Sequence, residues 1–330
     1  MLLSRVADQL YWGARYLERA ECTARVVRSY TELVIDLPTS ALGSWQPLLA
    51  VSGSDESALG QHRAGASGEM PIVGFLVADR HNPGSIASSI DRARENLRTT
   101  REIIPREAWQ TVNDLYLYSG ANAATGVERR GRARFLGHVI GECQQLDGVL
   151  TTVMNRDEAY ELWRLGQSIE RADMTTRVVG VRAAALLAAE RLRDAERDAD
   201  EPLADLHDDV QWMGLLRSVS ALQMYQRATR GPIEGTSAVR FLLLDPAFPR
   251  SVASCAVRIR DALTRLPRSR RTLPAVDALD ALVASAAARV SDGAAASLDG
   301  AGLDAAMDDV QSALAALDDV VHQTFVLTTV

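Results

Sequence analysis

Lysine is absent: all 36 cationic residues of the 330-residue chain are arginines. A Schiff-base amine, a phosphate-loop lysine and a lysine general base are therefore excluded. Cysteine is scarce, with Cys22, Cys143 and Cys255 far apart and odd in number. No Cys-x-x-Cys pair exists for a zinc or redox site, so the three read as reduced, small apolar residues. Aromatics make up 5%, and 22 glycines and 11 prolines leave long stretches containing neither. Helices filled with Ala and Leu follow from this, rather than turn-rich β structure. Acids outnumber cations 43 to 36, for a net charge of −7, which argues against a nucleic-acid partner. The longest uncharged stretch, Leu37 to Ser54, is broken by Pro38, Gly43, Pro47 and Gly53, and so is no membrane helix. Both charge signs occur before residue 9, leaving no secretory h-region, so a cytoplasmic protein is expected. Gly-x-Ser-x-Gly, Gly-x-Gly-x-x-Gly and Walker patterns are missing as well, so no reaction can be read from a motif.

What is there is an internal repeat, which decides architecture before any motif does. Leu17-Glu18-Arg19-Ala20-Glu21-Cys22-Thr23-Ala24-Arg25-Val26-Val27 aligns with Ile169-Glu170-Arg171-Ala172-Asp173-Met174-Thr175-Thr176-Arg177-Val178-Val179. Trp45-x-x-Leu48-Leu49 aligns with Trp212-x-x-Leu215-Leu216. Phe75-Leu76-x-x-Asp79-x-x-x-Pro83-x-Ser85 aligns with Phe241-Leu242-x-x-Asp245-x-x-x-Pro249-x-Ser251. The offset grows after the first of these matches, which puts an insertion in the acidic, arginine-rich stretch Glu190 to Asp209, expected to extend a helix into solvent. The spacing predicts an all-α, multi-helix bundle: one domain over 1–330, made of repeats at about 1–154 and 155–330 that share one core. Each repeat opens with a long proline-free helix, Leu3 to Val34 and Glu158 to Arg197. Pro83 and Pro249 read as first helical residues, with Asn82 as a cap. Ala50 to Gly68, rich in glycine and serine, reads as a connector or lid.

The chemistry-bearing residues gather on the two long helices. Glu21 interrupts an apolar seam of Leu3, Ala7, Leu10, Ala14, Leu17 and Ala24, and Asp173 interrupts the matching seam. A carboxylate there must be paired or protonated. Arg25 and Arg177, each four residues on, are in the favourable orientation for a helical ion pair. Glu18 and Glu170 sit on an adjoining face, with Arg15 one turn or Arg25 about two turns from Glu18 as its partner. The blander reading is a buried ion-pair network; the sharper one is a catalytic centre of Glu18, Arg19, Glu170 and Arg171, in which carboxylates act as acid or base and arginines clamp an anion. No Glu-x-x-His accompanies the carboxylates, so neither a metal nor another cofactor is expected.

Elsewhere Asp79, Asn82 and Ser85 surround a helix start, repeated by Asp245 and Ser251, and read as caps or an anion site. Arg92, Arg94 and Asn96 form either a solvated face or a carboxylate or phosphate site. Between repeats His81 becomes Ala247, Asn82 becomes Phe248 and Asn96 becomes Ala262. A ligand site kept in one repeat would therefore lie in the first, near Asp79, His81, Asn82 and Ser85.

The opening Ser4-Arg5-Val6-Ala7-Asp8-Gln9-Leu10-Tyr11-Trp12-x-x-Arg15-Tyr16-Leu17-Glu18-Arg19-Ala20-Glu21 resembles the bacterial alpha-E family, helical proteins named for a Glu-Arg motif. The resemblance runs on through Phe75 to Trp109, Ile169 to Thr175 and Phe241 to Pro249, covering nearly the whole chain; Gly13-Ala14 departs from its pattern. It implies partnership with a circularly permuted ATP-grasp ligase and a transglutaminase-like protein, encoded beside such genes, and a role in forming, modifying or cleaving amide bonds of a peptide. An accessory or scaffold protein is the leading expectation, and an enzyme in the same pathway is the alternative.

Overall fold

A computed structural model describes residues 2–37, 44–54, 68–196, 202–291 and 300–326. The described residues are overwhelmingly helical, with no strand among them. The first long helix, α1, spans Ser4–Asp36. Its buried positions, from Ala7 and Leu10 through Glu18, Ala20, Glu21, Cys22, Thr23 and Ala24 to Leu33, go round most of its circumference. A helix apolar on nearly every side belongs inside a molecule, and α1 lies at its centre. The short α2 (Pro47–Val51), α3 (Glu69–Val77), α4 (Ile86–Thr99), α5 (Arg106–Val127) and α6 (Arg129–Val153) follow. The second long helix, α7 (Glu158–Val178), is buried on as many sides as α1. It passes through one π turn, Val179–Ala183, into α8 (Ala184–Glu196). After it come α9 (Pro202–Ser218), α10 (Leu222–Thr229), α11 (Gly235–Leu244), α12 (Val252–Arg265), α13 (Leu273–Ser291) and α14 (Gly300–Phe325).

The helices α1 and α7 pack along each other, α4 and α6 cover α1, and α12 and α14 cover α7. Helix α9 also lies on α1, and α2 on α7. Contacts between α1 and α7 step forward together: the Leu2 amide donates to Glu158 at 2.7 Å, Gly166 abuts Tyr11, Arg19 reaches Glu170, and the Arg182 guanidinium lies 5.5 Å from the Tyr30 ring centre. The pair is therefore parallel. Gly166 is required where the two come closest, since a Cβ there would overlap the Tyr11 carbonyl oxygen.

Three expectations change. Pro83 and Pro249 do not start helices: Ser85 and Ser251 are the N-caps of α4 and α12, each accepting at 3.1 Å from the amide of Ser88 or Ser254. A serine with extended backbone satisfies a free N–H that proline cannot, so the prolines stand two residues outside the caps. Asn82 is no cap either, because its amide donates to the Phe75 carbonyl at 3.0 Å and its side-chain oxygen accepts from the Gly84 amide at 2.8 Å. The stretch Glu190 to Asp209 does not lengthen one helix: α8 and α9 fold back on each other, with Trp212 Nε1 donating to Glu190, and 197–201 lie outside the described residues. Of the stretch read as a connector or lid, 55–67 lies outside the described residues. Among the described residues no helix is long and apolar enough to cross a membrane.

Candidate functional site

The Glu-Arg motifs meet on the facing sides of α1 and α7. Glu18 is 2% exposed and Glu170 fully buried. Arg171 donates from Nε and Nη2 to the two oxygens of Glu18, at 2.8 and 2.7 Å. Reciprocally, Arg19 reaches both oxygens of Glu170, with Nη2 at 3.0 Å. Such paired forks are the strongest carboxylate contacts available to a protein. The partner expected for Glu18 was Arg15 or Arg25. Instead Arg15 crosses to Glu170 at 2.9 Å and to Asp318 at 2.7 Å, and Arg25 stays with Glu21. Intrahelical spacing cannot reveal that an arginine of the neighbouring helix is better aimed.

A further arginine outside the motifs completes the Glu18 side. Arg250 donates to Glu18 at 2.9 Å and to Glu21 at 3.0 Å, and it touches the Cys22 Sγ at 3.3 Å. Arg25 donates to Glu21 from Nε at 3.0 Å and also to Ser220 Oγ. Burial alone would raise the Glu18 carboxyl, but the charges of Arg171 and Arg250 outweigh it and bring it down to about 2. Glu170 is lowered likewise: burial opposes ionisation, and Arg19 and Arg15 overcome it. The side is closed, with every charge met by another.

The Glu170 side is open. Asp173 pairs with Arg177 at 2.8 Å, and beside them lies a cavity of about 360 Å³. Arg19 of α1 and Glu170, Asp173, Met174 and Arg177 of α7 line it, together with His81, Asn82, Pro83 and Gly84 from the segment before α4. Gly53 also lines it, in the left-handed region at φ 74°, a backbone that strains a side chain.

The structure thus brings together Arg19, Glu170, Asp173, Arg177, His81 and Asn82 from the expected site residues, and Glu18, Glu21, Arg25 and Arg171 in the closed network. Asp79 accepts from the amide of His81 at 2.9 Å and approaches its ring. Asp245 accepts from the amides of Ala247 and Phe248 at 2.9 and 2.8 Å. These carboxylates hold turns and do not line the cavity, and Ser85 and Ser251 cap helices. Arg92 and Asn96 line a separate shallow groove with Trp12 and Tyr16. Arg94 turns away from them, bonding Asn113 at 3.3 Å and lying 4.7 Å from the Tyr116 ring centre. The three do not form one anion site, because successive positions on a helix diverge around it. Arg250 and Gly84 carry no signal in the sequence, since both fall on the unspecified position of the Pro-x-Ser repeat. No group of three His, Cys, Asp or Glu able to hold a metal occurs among the described residues. The three cysteines are free and buried. Burial raises Cys22 and Cys143 and pushes Cys255 up to about 11, so none is a ready thiolate nucleophile.

A family model described as "a predicted alpha-helical domain with a conserved ER motif" matches residues 2–326. The chain belongs to the Alpha-E family. In this Alpha-E chain the Glu-Arg pairs, Glu18-Arg19 and Glu170-Arg171, are the reciprocal clamp between the two central helices. No curated protein and no solved structure matches the chain.

Proposed function

We propose that this Alpha-E chain is a cytoplasmic accessory or scaffold protein that binds an ATP-grasp-type ligase, a transglutaminase-like protein or their peptide in a peptide synthesis or modification system. It is built from two similar repeats sharing one core. The observation that carries a binding role is the double clamping of Glu18 and Glu170 by arginines. A carboxylate held ionised this way has no proton to give at neutral pH, and one lowered to about 2, as Glu18 is, is a weak base. Family membership supports the peptide context, since that is what the Glu-Arg motifs imply through the resemblance. The enzymatic alternative, with Glu18, Arg19, Glu170 and Arg171 at its centre, draws on one observation, the cavity beside Arg19 and Glu170.

Support for the duplication comes from reciprocity. Arg19 with Glu170 and Arg171 with Glu18 exchange under the repeat alignment, as contacts across a twofold axis must. Neighbours exchange too: α4 on α1 matches α12 on α7, α5 with α6 matches α13 with α14, and α9 on α1 matches α2 on α7. Even Gly53 and Ser220, aligned through their tryptophan helices, share a left-handed backbone, φ 74° and 57°. Purification from the native host under mild crosslinking is expected to recover the ligase with this chain. A preparation in which the ligase is present yet never co-purifies would overturn the partnership.

A further inference from the structure

Among the aligned positions at which the two sides of the central pair differ, one has a large consequence. Under the repeat alignment, the groups that hold the Arg250 guanidinium are Glu18, Glu21 and Cys22. Their counterparts are Glu170, Asp173 and Met174, and all three line the cavity. The counterpart of Arg250 itself is Gly84, which lines the same cavity. Thr175 supports Arg250 by donating to its carbonyl at 3.0 Å, and its counterpart, Thr23, also lines the cavity. The second repeat therefore fills with its own side chain the space that the first leaves open.

Charge selects what enters. On the closed side two acids, Glu18 and Glu21, face three arginines, Arg171, Arg25 and Arg250. On the open side three acids, Glu170, Asp173 and Asp318, face three arginines, Arg19, Arg177 and Arg15, which bonds both Glu170 and Asp318. One added cation reproduces the charge state that is stable on the closed side. A guanidinium fits better than an ammonium, because its planar fork can bond two carboxylates at once, as Arg250 does. We infer that the cavity is a receptor for a guanidinium group, carried on an arginine side chain, which seats between Glu170 and Asp173 as Arg250 seats between Glu18 and Glu21. This rests on the duplication reading above and not on the identity of any partner. The volume, about 360 Å³, lies within the range of small-ligand sites, about 300–1,000 Å³.

Calorimetric titration of the full chain with the end-blocked tripeptide Ala-Arg-Ala, its citrulline analogue and free arginine tests it. Citrulline keeps the shape and removes the charge, so its peptide should bind at least about tenfold more weakly, the loss expected for one charge-assisted bond. Tighter binding of the free amino acid than of the tripeptide would identify a metabolite as the source of the group, and the reverse a peptide. D173N should weaken Ala-Arg-Ala by about tenfold while leaving the melting temperature near the parent's, since Asp173 has solvent access. G84R should fill the site internally: the backbone there is not left-handed, a Cβ meets only Asn82 Oδ1, at 3.4 Å, and the variant should no longer bind the peptide. Equal affinity for the arginine and citrulline peptides, or no binding of either at millimolar concentration, overturns the inference. If a crystal structure of G84R then shows the new side chain between Glu170 and Asp173, the duplication stands and only the ligand falls. A guanidinium seated elsewhere removes the duplication reading as well.

Discussion

Glu21 shows how a single residue reports on the network. It interrupts the apolar seam of α1 and receives both Arg25 and Arg250. Glu21→Ala leaves two inward-facing arginines with one carboxylate fewer, and removing one side of a buried pair costs roughly 3–5 kcal/mol. Chemical denaturation should show a loss on that scale; a change below about 1 kcal/mol, the worth of a surface pair, would mean that water replaces the carboxylate without penalty. Asp173 occupies the aligned position, but its side chain is 15% exposed against 6% for Glu21. Aligned carboxylates therefore play two parts, with Arg250 on one side where Gly84 stands on the other.

At the scale of elements, everything depends on how closely α1 and α7 approach. The clamp of Arg19 on Glu170 and Arg171 on Glu18 requires the axes to be near enough for short reach and exact register. Gly166 permits that approach. In Gly166→Ala the added methyl collides with the Tyr11 carbonyl, which belongs to a backbone and cannot rotate aside. Overpacking of this kind costs about 1–3 kcal/mol. We expect a lower denaturation midpoint for the variant and altered fluorescence from Trp163, whose ring lies near Gly13 at the same crossing. An unchanged midpoint would mean that the helices separate freely and that the clamp does not set their distance.

For the whole molecule, the buried carboxylates fix how stability responds to acid. Glu18 is lowered to about 2 against burial by Arg171 and Arg250, and Glu170 and Glu69 are lowered against burial by their arginines. A carboxyl that is more acidic folded than unfolded stabilises the fold above its unfolded pKa and loses that contribution as pH falls through its folded one. The fold should therefore weaken steadily from about pH 4.5, where unfolded glutamates begin to protonate, down towards pH 2. Asp8 acts in the opposite sense, because burial raises it, but it is one group against three. Urea midpoints flat from pH 5 to pH 2.5 would contradict the assignment of these carboxylates as ionised.

Local rules act between residues a few positions apart, and whatever follows from them was legible in the amino-acid order. The all-helical class, the first long helix near its observed ends and the start of the second, the pairing of Glu21 with Arg25 and of Asp173 with Arg177, and the family all follow from composition, spacing and motif, whereas the π turn after Val178 does not. Helix starts are ambiguous in the sequence where proline and serine compete for the cap, since both signals occur within three residues of each other. Which arginine meets Glu18 depends on two helices far apart in the chain, and no spacing encodes it. Arg250 lies at the start of α12, and only the packing of α12 on α7 carries it to Glu18 and Glu21. The open side could be seen only in three dimensions, because a cavity is the absence of a side chain where surrounding groups are placed to receive one. Residue order set which groups the two central helices offer; the tertiary structure decided, through packing that reaches across the whole chain, which of them are closed off and which are left to bind.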